Sequence, residues 1–523
     1  MSPDPAVPAL MEAAAAAHRA GRLGEAKELY QQLLETDPDQ AEVLHRLATI
    51  ALAEGRVEDG VLLLRRTLAL APQMLAAHLN LALALEHLGQ GEAALASYER
   101  AIAVAPRHAE THARHGDLML RLGRYETSLA AYDRALALDP RLARAWSNRG
   151  LALLGLGRTT EAVESFDGAL ALDPGFVDAL VNRGIALREL NRLDASLASL
   201  GAALQAAPDN PAAACNLGVS QLLAGALEPG FRGHEQRWRL EPNRSALRTF
   251  AAPLWQGGED LAGRTLLLHA EQGFGDTIQF CRYAALAAAR GARVVLEAPP
   301  ALKALMRSLD GVAELVGAGE PLPDFDLHCP LMSLPHAFGT TLETIPTRAS
   351  YLAAPPERSA AWAGVVADSP RPKVGLAWFG KPTHHNDRNR SIRLEPLLEA
   401  LPSGLELFSL QDRARPEDEA ALAAYPRIRR FEDRLTDFAD TAALASQMDL
   451  VVSVDTSTAH LAAALGRPTW VLLPFSPDWR WLLDREDSPW YPTVRLFRQP
   501  APGDWDSVLA RLGEALSGVA KPG

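Results

Sequence analysis

The chain has 523 residues, 48% apolar and 22% charged, with 52 Lys and Arg against 64 Asp and Glu and a formal net charge of −12. That length calls for about three folding units, and the acidic balance speaks against a general nucleic-acid binder, whose electrostatic footprint is basic. Cys215, Cys281 and Cys329 stand too far apart for metal-ligand spacing and suit a reducing compartment. The opening "MSPDPAVPALMEAAAAAHRA" lacks the basic start and apolar run of a secretory signal, and no run of about 18 apolar residues occurs. The expectation is a soluble, cytoplasmic protein without a membrane span.

Prolines stand at 38, 72, 106, 140, 174 and 208, each 34 residues after the last, which marks an internal repeat. On that frame position 8 reads Ala14, Ala48, Ala82, Gly116, Gly150, Gly184 and Gly218. Position 24 reads Tyr30, Leu64, Tyr98, Tyr132, Phe166 and Leu200. Small residues where two helices cross and a large one where a third packs predict stacked helical hairpins over 7–240, each ended by its proline. The stretch "AWSNRGLALLGLGRTTEAVESFDGALALDP" resembles the tetratricopeptide repeat almost position for position. The resemblance implies a solenoid whose first helices line a groove. Position 6 of those helices holds Asn80, Asn148, Asn182 and Asn216, with Arg46 and Arg114 in the same register. An amide both donates and accepts, so this row is expected to hold the backbone of an extended polypeptide. The alternative is that Asn is ordinary repeat consensus there. A similar ladder belongs to the eukaryotic O-GlcNAc transferase, whose repeats this array resembles.

The period decays after Gly218. Residues 227–240 read as a capping helix and 241–263 as a linker without periodicity. From 264 short apolar runs alternate with helical stretches. Strands are predicted at 264–270, 293–299, 313–317 and 325–331, with helices near 276–290 and 301–309, giving a first Rossmann-like lobe over 264–355. Residues 346–372 read as a connector. A second lobe over 373–517 has strands at 373–379, 405–411, 449–454 and 469–474 and a closing helix at 505–517. The predicted fold class is thus an α-solenoid followed by two Rossmann-like α/β lobes, with a site in the cleft at the strand C-terminal ends.

Three segments carry candidate chemistry. In "HAEQGFGDTIQFCRYA" a strand ends, Gly273 and Gly275 allow a tight turn, and Asp276 opens a helix. Asp276 reads either as a general base for an acceptor hydroxyl or as a helix cap. In "GLAWFGKPTHHNDRNRSIRLEPLLEAL" a strand runs into Lys381, Arg388, Arg390 and Arg393, cations that can neutralise a diphosphate, with the hydroxyl of Ser391 among them. His384, His385 and Asp387 lack a third well-placed ligand for a metal, and none is expected. In "DLVVSVDTSTAHLAAALGRPTWVLLPF" a buried strand meets Asp455, Thr456, Ser457 and Thr458 at a helix start, with His460 one turn in. Such a helix N-terminus, lined with hydroxyls, is an anion site. Asp324 and Asp326 match a metal-binding D-x-D by spacing but sit at a strand start and read as a turn. The aromatic run 478–492 could stack a nucleobase on Trp479 or Trp481, or simply pack.

In this order the three segments resemble the heptosyltransferase-type (glycosyltransferase family 9) enzymes of the GT-B fold, on Gly275-Asp276 and on Asp455 to Pro468. Ser457 stands where the family pattern has glycine. The resemblance implies an inverting, metal-independent transfer from a nucleotide sugar, without a cofactor. It makes Asp276 the base, gives Lys381, Arg390, Ser391, Asp455, Thr456, Ser457, Thr458 and His460 to the donor, and Gly273 and Gly275 to the acceptor side. With its repeats the chain is similar to bacterial tetratricopeptide-fused glycosyltransferases, several of which are thought to recruit a protein acceptor such as flagellin. Two other functions stay open: a non-catalytic adaptor with a decayed transferase half, and a transferase acting on a saccharide or lipid-linked acceptor.

Overall fold

The computed structural model describes residues 6–366, 371–383 and 386–520. The chain divides into two compact units, Met1–Ala186 and Leu187–Gly523.

The first unit is a run of antiparallel helix pairs, from Ala6–Arg19 and Leu23–Thr36 through Ala143–Gly155 and Thr159–Leu172. Its register follows the 34-residue period in three ways. The turn inside each pair takes a left-handed residue, Gly21, Gly55, Gly89, Gly123 and Gly157, all at φ between 70° and 77°, where a Cβ would be strained. The position-8 glycines admit the position-24 rings. A Cβ on Gly116 would lie 2.9 Å from the Tyr132 ring, and one on Gly150 2.6 Å from Phe166. The orphan carbonyl of the repeat-ending proline is met by a ring N–H six residues on: His78 to Pro72 at 2.9 Å, His112 to Pro106 at 3.0 Å and Trp146 to Pro140 at 2.9 Å.

The second unit begins inside the predicted 7–240 array. Its first helices, Leu193–Ala206, Pro211–Leu223 and Leu227–His234, share a core with the α/β sheets. Asn191 takes the turn position of the glycines at φ 54°, and its side chain donates to the Phe475 carbonyl at 2.7 Å. The cause is aromatic: Phe231 packs edge-on against Trp479, ring centroids 5.4 Å apart. The predicted linker 241–263 is likewise anchored. Its Trp255 is buried, with its backbone N–H bonded to the His328 carbonyl at 2.8 Å, and Arg248 pairs with buried Glu297.

The first sheet contains β1 (Thr265–His269), β2 (Arg293–Ala298), β3 (Val312–Gly317) and β4 (Leu327–Pro330), all parallel in the order β3-β2-β1-β4. The second contains β5 (Lys373–Ala377), β6 (Glu406–Ser409), β7 (Ile428–Arg429), β8 (Leu450–Val454), β9 (Thr469–Leu473) and β10 (Val494–Arg498). They too are parallel, in the order β10-β9-β8-β5-β6-β7. Near-continuous apolar strands such as LVVSV are what a sheet covered on both faces requires. The closing helix Trp505–Val519 buries Val508, Leu512 and Leu516 completely, each such side chain stabilising by about 1.5–3 kcal/mol. β7 and β10 were not expected, and the predicted connector contains the helix Pro356–Ala363, held by buried Trp362.

Candidate functional site

β1 delivers the chain to a loop that turns at Gly273 and enters the helix Phe274–Phe280 with Asp276 at its third position. Asp276 Oδ2 accepts the Gly273 N–H at 2.9 Å, so the carboxylate caps its own helix. Its other oxygen accepts from Arg480. Burial pushes the Asp276 carboxyl above its ordinary range, opposed by Arg480. At Gly275 the first lobe comes close to the turn after β8 of the second. A Cβ there would stand 3.0 Å from His460 Cδ2 and 3.7 Å from Ser457 Cα, so this glycine lets the Asp276 loop lie directly on the turn after β8.

That turn is Asp455-Thr456, with Thr456 as N-cap of the helix Ser457–Ala464. Extended backbone at Thr456 and a contact of its hydroxyl with Ser453 Oγ (3.2 Å) fix the turn. The leading amides, on Ser457 and Thr458, have no helical acceptor and face outward as any first turn does. His460 Nδ1 lies 2.9 Å from Tyr491 Oη, and its Nε2 is 4.0 Å from Asp455 Oδ1. Its ring stacks on Trp481 at 5.4 Å. Burial, with Arg480 adding to it, takes the His460 pKa down to about 3, so the imidazole is neutral. The Asp455 carboxyl is pushed up by burial and by the neighbouring Asp478 charge.

The loop after β5 has partners within the protein. Arg390 Nη1 donates to the Asp455 carbonyl at 2.8 Å, and its Nε to Asp387 at 3.3 Å. Ser391 Oγ donates to Asp387 at 3.1 Å and accepts the Gly380 N–H at 3.2 Å. Arg390 thus braces the Asp455 turn, and Ser391 ties together the loop that carries it. Lys381, Arg388 and Arg393 are exposed. His384 and His385 lie outside the described residues. Among the described residues no group of three or more His, Cys, Asp or Glu side chains is arranged to hold a metal ion. Asp326 accepts the Thr265 N–H at 2.7 Å at the opposite, N-terminal end of the strands.

Three of the four asparagines have internal partners, to different degrees. Asn80 lies 3.0 Å from His45 Nε2, and Asn148 donates to Asp117 at 2.7 Å, each reaching one repeat back. Asn216 donates to the Ala212 carbonyl of its own helix at 3.0 Å and accepts from Arg188 at 3.2 Å. Asn182 is half-buried.

Sequence reasoning missed Arg480, Asp478, Tyr491 and the buried group of Arg237 and Glu271. Arg237 donates to Glu271 and to Ser333 Oγ, both at 2.8 Å, just below the Gly273 turn. Burial raises the Glu271 carboxyl to about 7. The aromatic run was the available signal, but Trp479 and Trp481 are buried in packing rather than presented to a base.

The comparisons with known proteins fall on both halves. Tetratricopeptide repeat descriptions match residues 17–79, 75–108, 114–175 and 153–217. Glycosyltransferase family 9 (heptosyltransferase) matches residues 435–474, the segment holding the Asp455–His460 turn. The chain joins tetratricopeptide repeats to a segment of the glycosyltransferase family 9 type. It is 27% identical over 328 residues to Protein FlbA of Caulobacter vibrioides, an alignment covering 57% of this chain and 54% of that protein, so it spans about half the length of this curated relative. Among solved structures, MamA protein is 25% identical (TM-score 0.31; 32% of this chain, 92% of that one). YrrB, described as a TPR protein with an unusual peptide-binding site, is 20% identical (TM-score 0.33; 35% and 95%). Among the described residues no helix is long and apolar enough to cross a membrane.

Proposed function

We propose that the α/β half transfers a sugar from a nucleotide-activated donor to a hydroxyl of a polypeptide acceptor recruited by the repeats. The observation that carries this is the approach of Gly275 to His460 and Ser457, which sets an acid at one strand end against a hydroxyl-lined helix N-terminus at another. In this reading the Ser457 and Thr458 amides, with Lys381, meet the negative charge of the donor diphosphate. The acceptor oxygen attacks the anomeric carbon as the bond to the diphosphate oxygen breaks. That oxygen keeps the electron pair, and the acceptor proton passes to Asp276. Attack from the side opposite the leaving group inverts the anomeric centre. Neutral His460 shapes the turn and neither brings nor loses charge there. Asn80, Asn148, Asn182 and Asn216 are proposed to hold the acceptor backbone, since an amide with one or two internal bonds keeps further donor and acceptor capacity.

One observation favours a non-catalytic adaptor: both oxygens of Asp276 are already bonded. A panel of UDP-, GDP- and ADP-linked sugars, read by thermal stabilisation, tests the donor site. At least one should raise the melting temperature, and Asp455→Ala or Thr456→Pro should weaken its binding by calorimetry at least tenfold, about 1.4 kcal/mol. Stabilisation by none of them, or unchanged affinity in folded variants, contradicts the assignment.

A further inference from the structure

The three-residue turn Trp479–Trp481 touches three parts of the second unit at once. Arg480 points at the helix Phe274–Phe280. Its Nη2 donates to Asp276, its Nε to Gln279 at 2.7 Å, and its Nη1 returns to Asp478 at 2.8 Å. The planar guanidinium fork thereby grips two residues three apart on one helix, which fixes orientation as well as charge. On one side Trp479 meets Phe231 edge-on at 5.4 Å and stacks on Phe280 at 6.4 Å. Phe231 belongs to Leu227–His234, the helix that ends the repeat region. On the other side Trp481 stacks on His460.

The turn is held in a conformation its residues do not favour. Leu482 and Asp484 both have φ 52°, a region costly for residues bearing a Cβ. Arg498 supplies the restraint, donating to the carbonyls of Trp481 at 2.6 Å, Leu482 at 2.9 Å and Arg485 at 2.8 Å. The turn, Arg498, Asp276 and Phe231 lie outside residues 435–474, the span that matches the family, and only His460 lies within it.

We infer that Arg480 is a positioning residue for Asp276, and that the packing of Phe231 on Trp479 ties it to the end of the repeat region. This rests on the reading of Asp276 as the group that receives the acceptor proton. Besides Arg480, the charged groups facing Asp276 are Asp478 from the turn and Glu271 from the end of β1. Arg480 is the cation among them. It favours the carboxylate, whereas burial and Asp478 disfavour it. Loss of Arg480 therefore raises the pH at which Asp276 becomes a base.

The test is donor hydrolysis, in which water replaces the acceptor, read as nucleoside diphosphate released from whichever UDP-, GDP- or ADP-linked sugar stabilises the protein. Arg480→Met should lower kcat about tenfold or more with little change in KM, and move the acid limb of the kcat/KM profile up by about 1–3 pH units. Arg480→Lys should restore part of both. In an Asp276→Asn background Arg480→Met should cost nothing further, because the two act as one unit. Arg480→Met leaves buried acids unpaired and can fail to fold. Phe231→Leu loosens the turn without removing a charge, and should lower kcat severalfold with the acid limb displaced in the same direction. An inactive Asp276→Asn beside Arg480→Met and Phe231→Leu variants with wild-type turnover and acid limb overturns this inference alone. Undiminished hydrolysis by Asp276→Asn overturns the functional reading and this inference with it.

Discussion

The side-chain contacts of the repeat asparagines reach one repeat away, whereas the longest of the candidate site reach across two hundred residues. Asn80 to His45 spans 35 residues and Asn148 to Asp117 spans 31. Arg480 to Asp276 spans 204, Arg480 to Gln279 201, and Arg282 to the Trp490 carbonyl 208. The repeat unit is consequently a sum of neighbour interfaces, each nearly independent of the distant ones. The α/β unit must fold as a whole before its site exists. Damage should stay local in the first and spread through the second.

The largest expected difference is under acid. Burial lowers His234, His269 and His460 to about 3, all in the second unit. Each is neutral when folded and charged when unfolded below about pH 6.5, so each removes stability as pH falls, at about 1.4 kcal/mol per pH unit until the folded pKa is passed. Together they take away about 4 kcal/mol per unit, of which Glu271 and Asp455, raised by burial to about 7 and about 6, return about 2.7 kcal/mol per unit between about pH 6 and 4.5, against a typical total of 5–15 kcal/mol. Calorimetry should show the α/β transition losing about 1.4 kcal/mol per unit below about pH 6, and His234→Phe should nearly flatten that slope. A pH-independent transition between 6.5 and 4 would contradict the buried, neutral assignment.

A matched pair of packing changes sharpens the comparison. Trp490 is 1% exposed and packs on Phe231, Phe280 and Trp479. Trp490→Ala should cost about 3–5 kcal/mol, with hydrogen exchange rising throughout the α/β unit. Gly150→Val, which collides with Phe166, should cost about 1–3 kcal/mol. Its faster exchange should be confined to the adjoining helix pairs. A spread as wide as that of Trp490→Ala would show the repeats to be more cooperative than their contacts indicate.

The same division decides what the sequence made legible. Tyr132 and Gly116 meet at a separation fixed by the repeat, so register alone placed them. The Asp455 turn was readable because a buried strand meeting hydroxyls and an apolar helix is a local signal. Arg480 and the Arg237–Glu271 pair gave no such signal, since their partners come from elsewhere in the chain. β10 hid because an edge strand alternates, Arg495 facing out between buried Val494 and Leu496. The internal partners of Arg390 and Ser391 went unread for a related reason. A cation at a strand mouth looks the same in sequence whether it meets a ligand or, as here, the Asp455 carbonyl.

Turnover and donor affinity measured side by side for Asp276→Asn bear most directly on the central claim that this carboxylate receives the acceptor proton. The account predicts a donor Kd close to wild type, a melting temperature little changed, and turnover lower by about 10²-fold or more. Wild-type turnover in a variant of reduced melting temperature would show that Asp276 only caps the helix it opens.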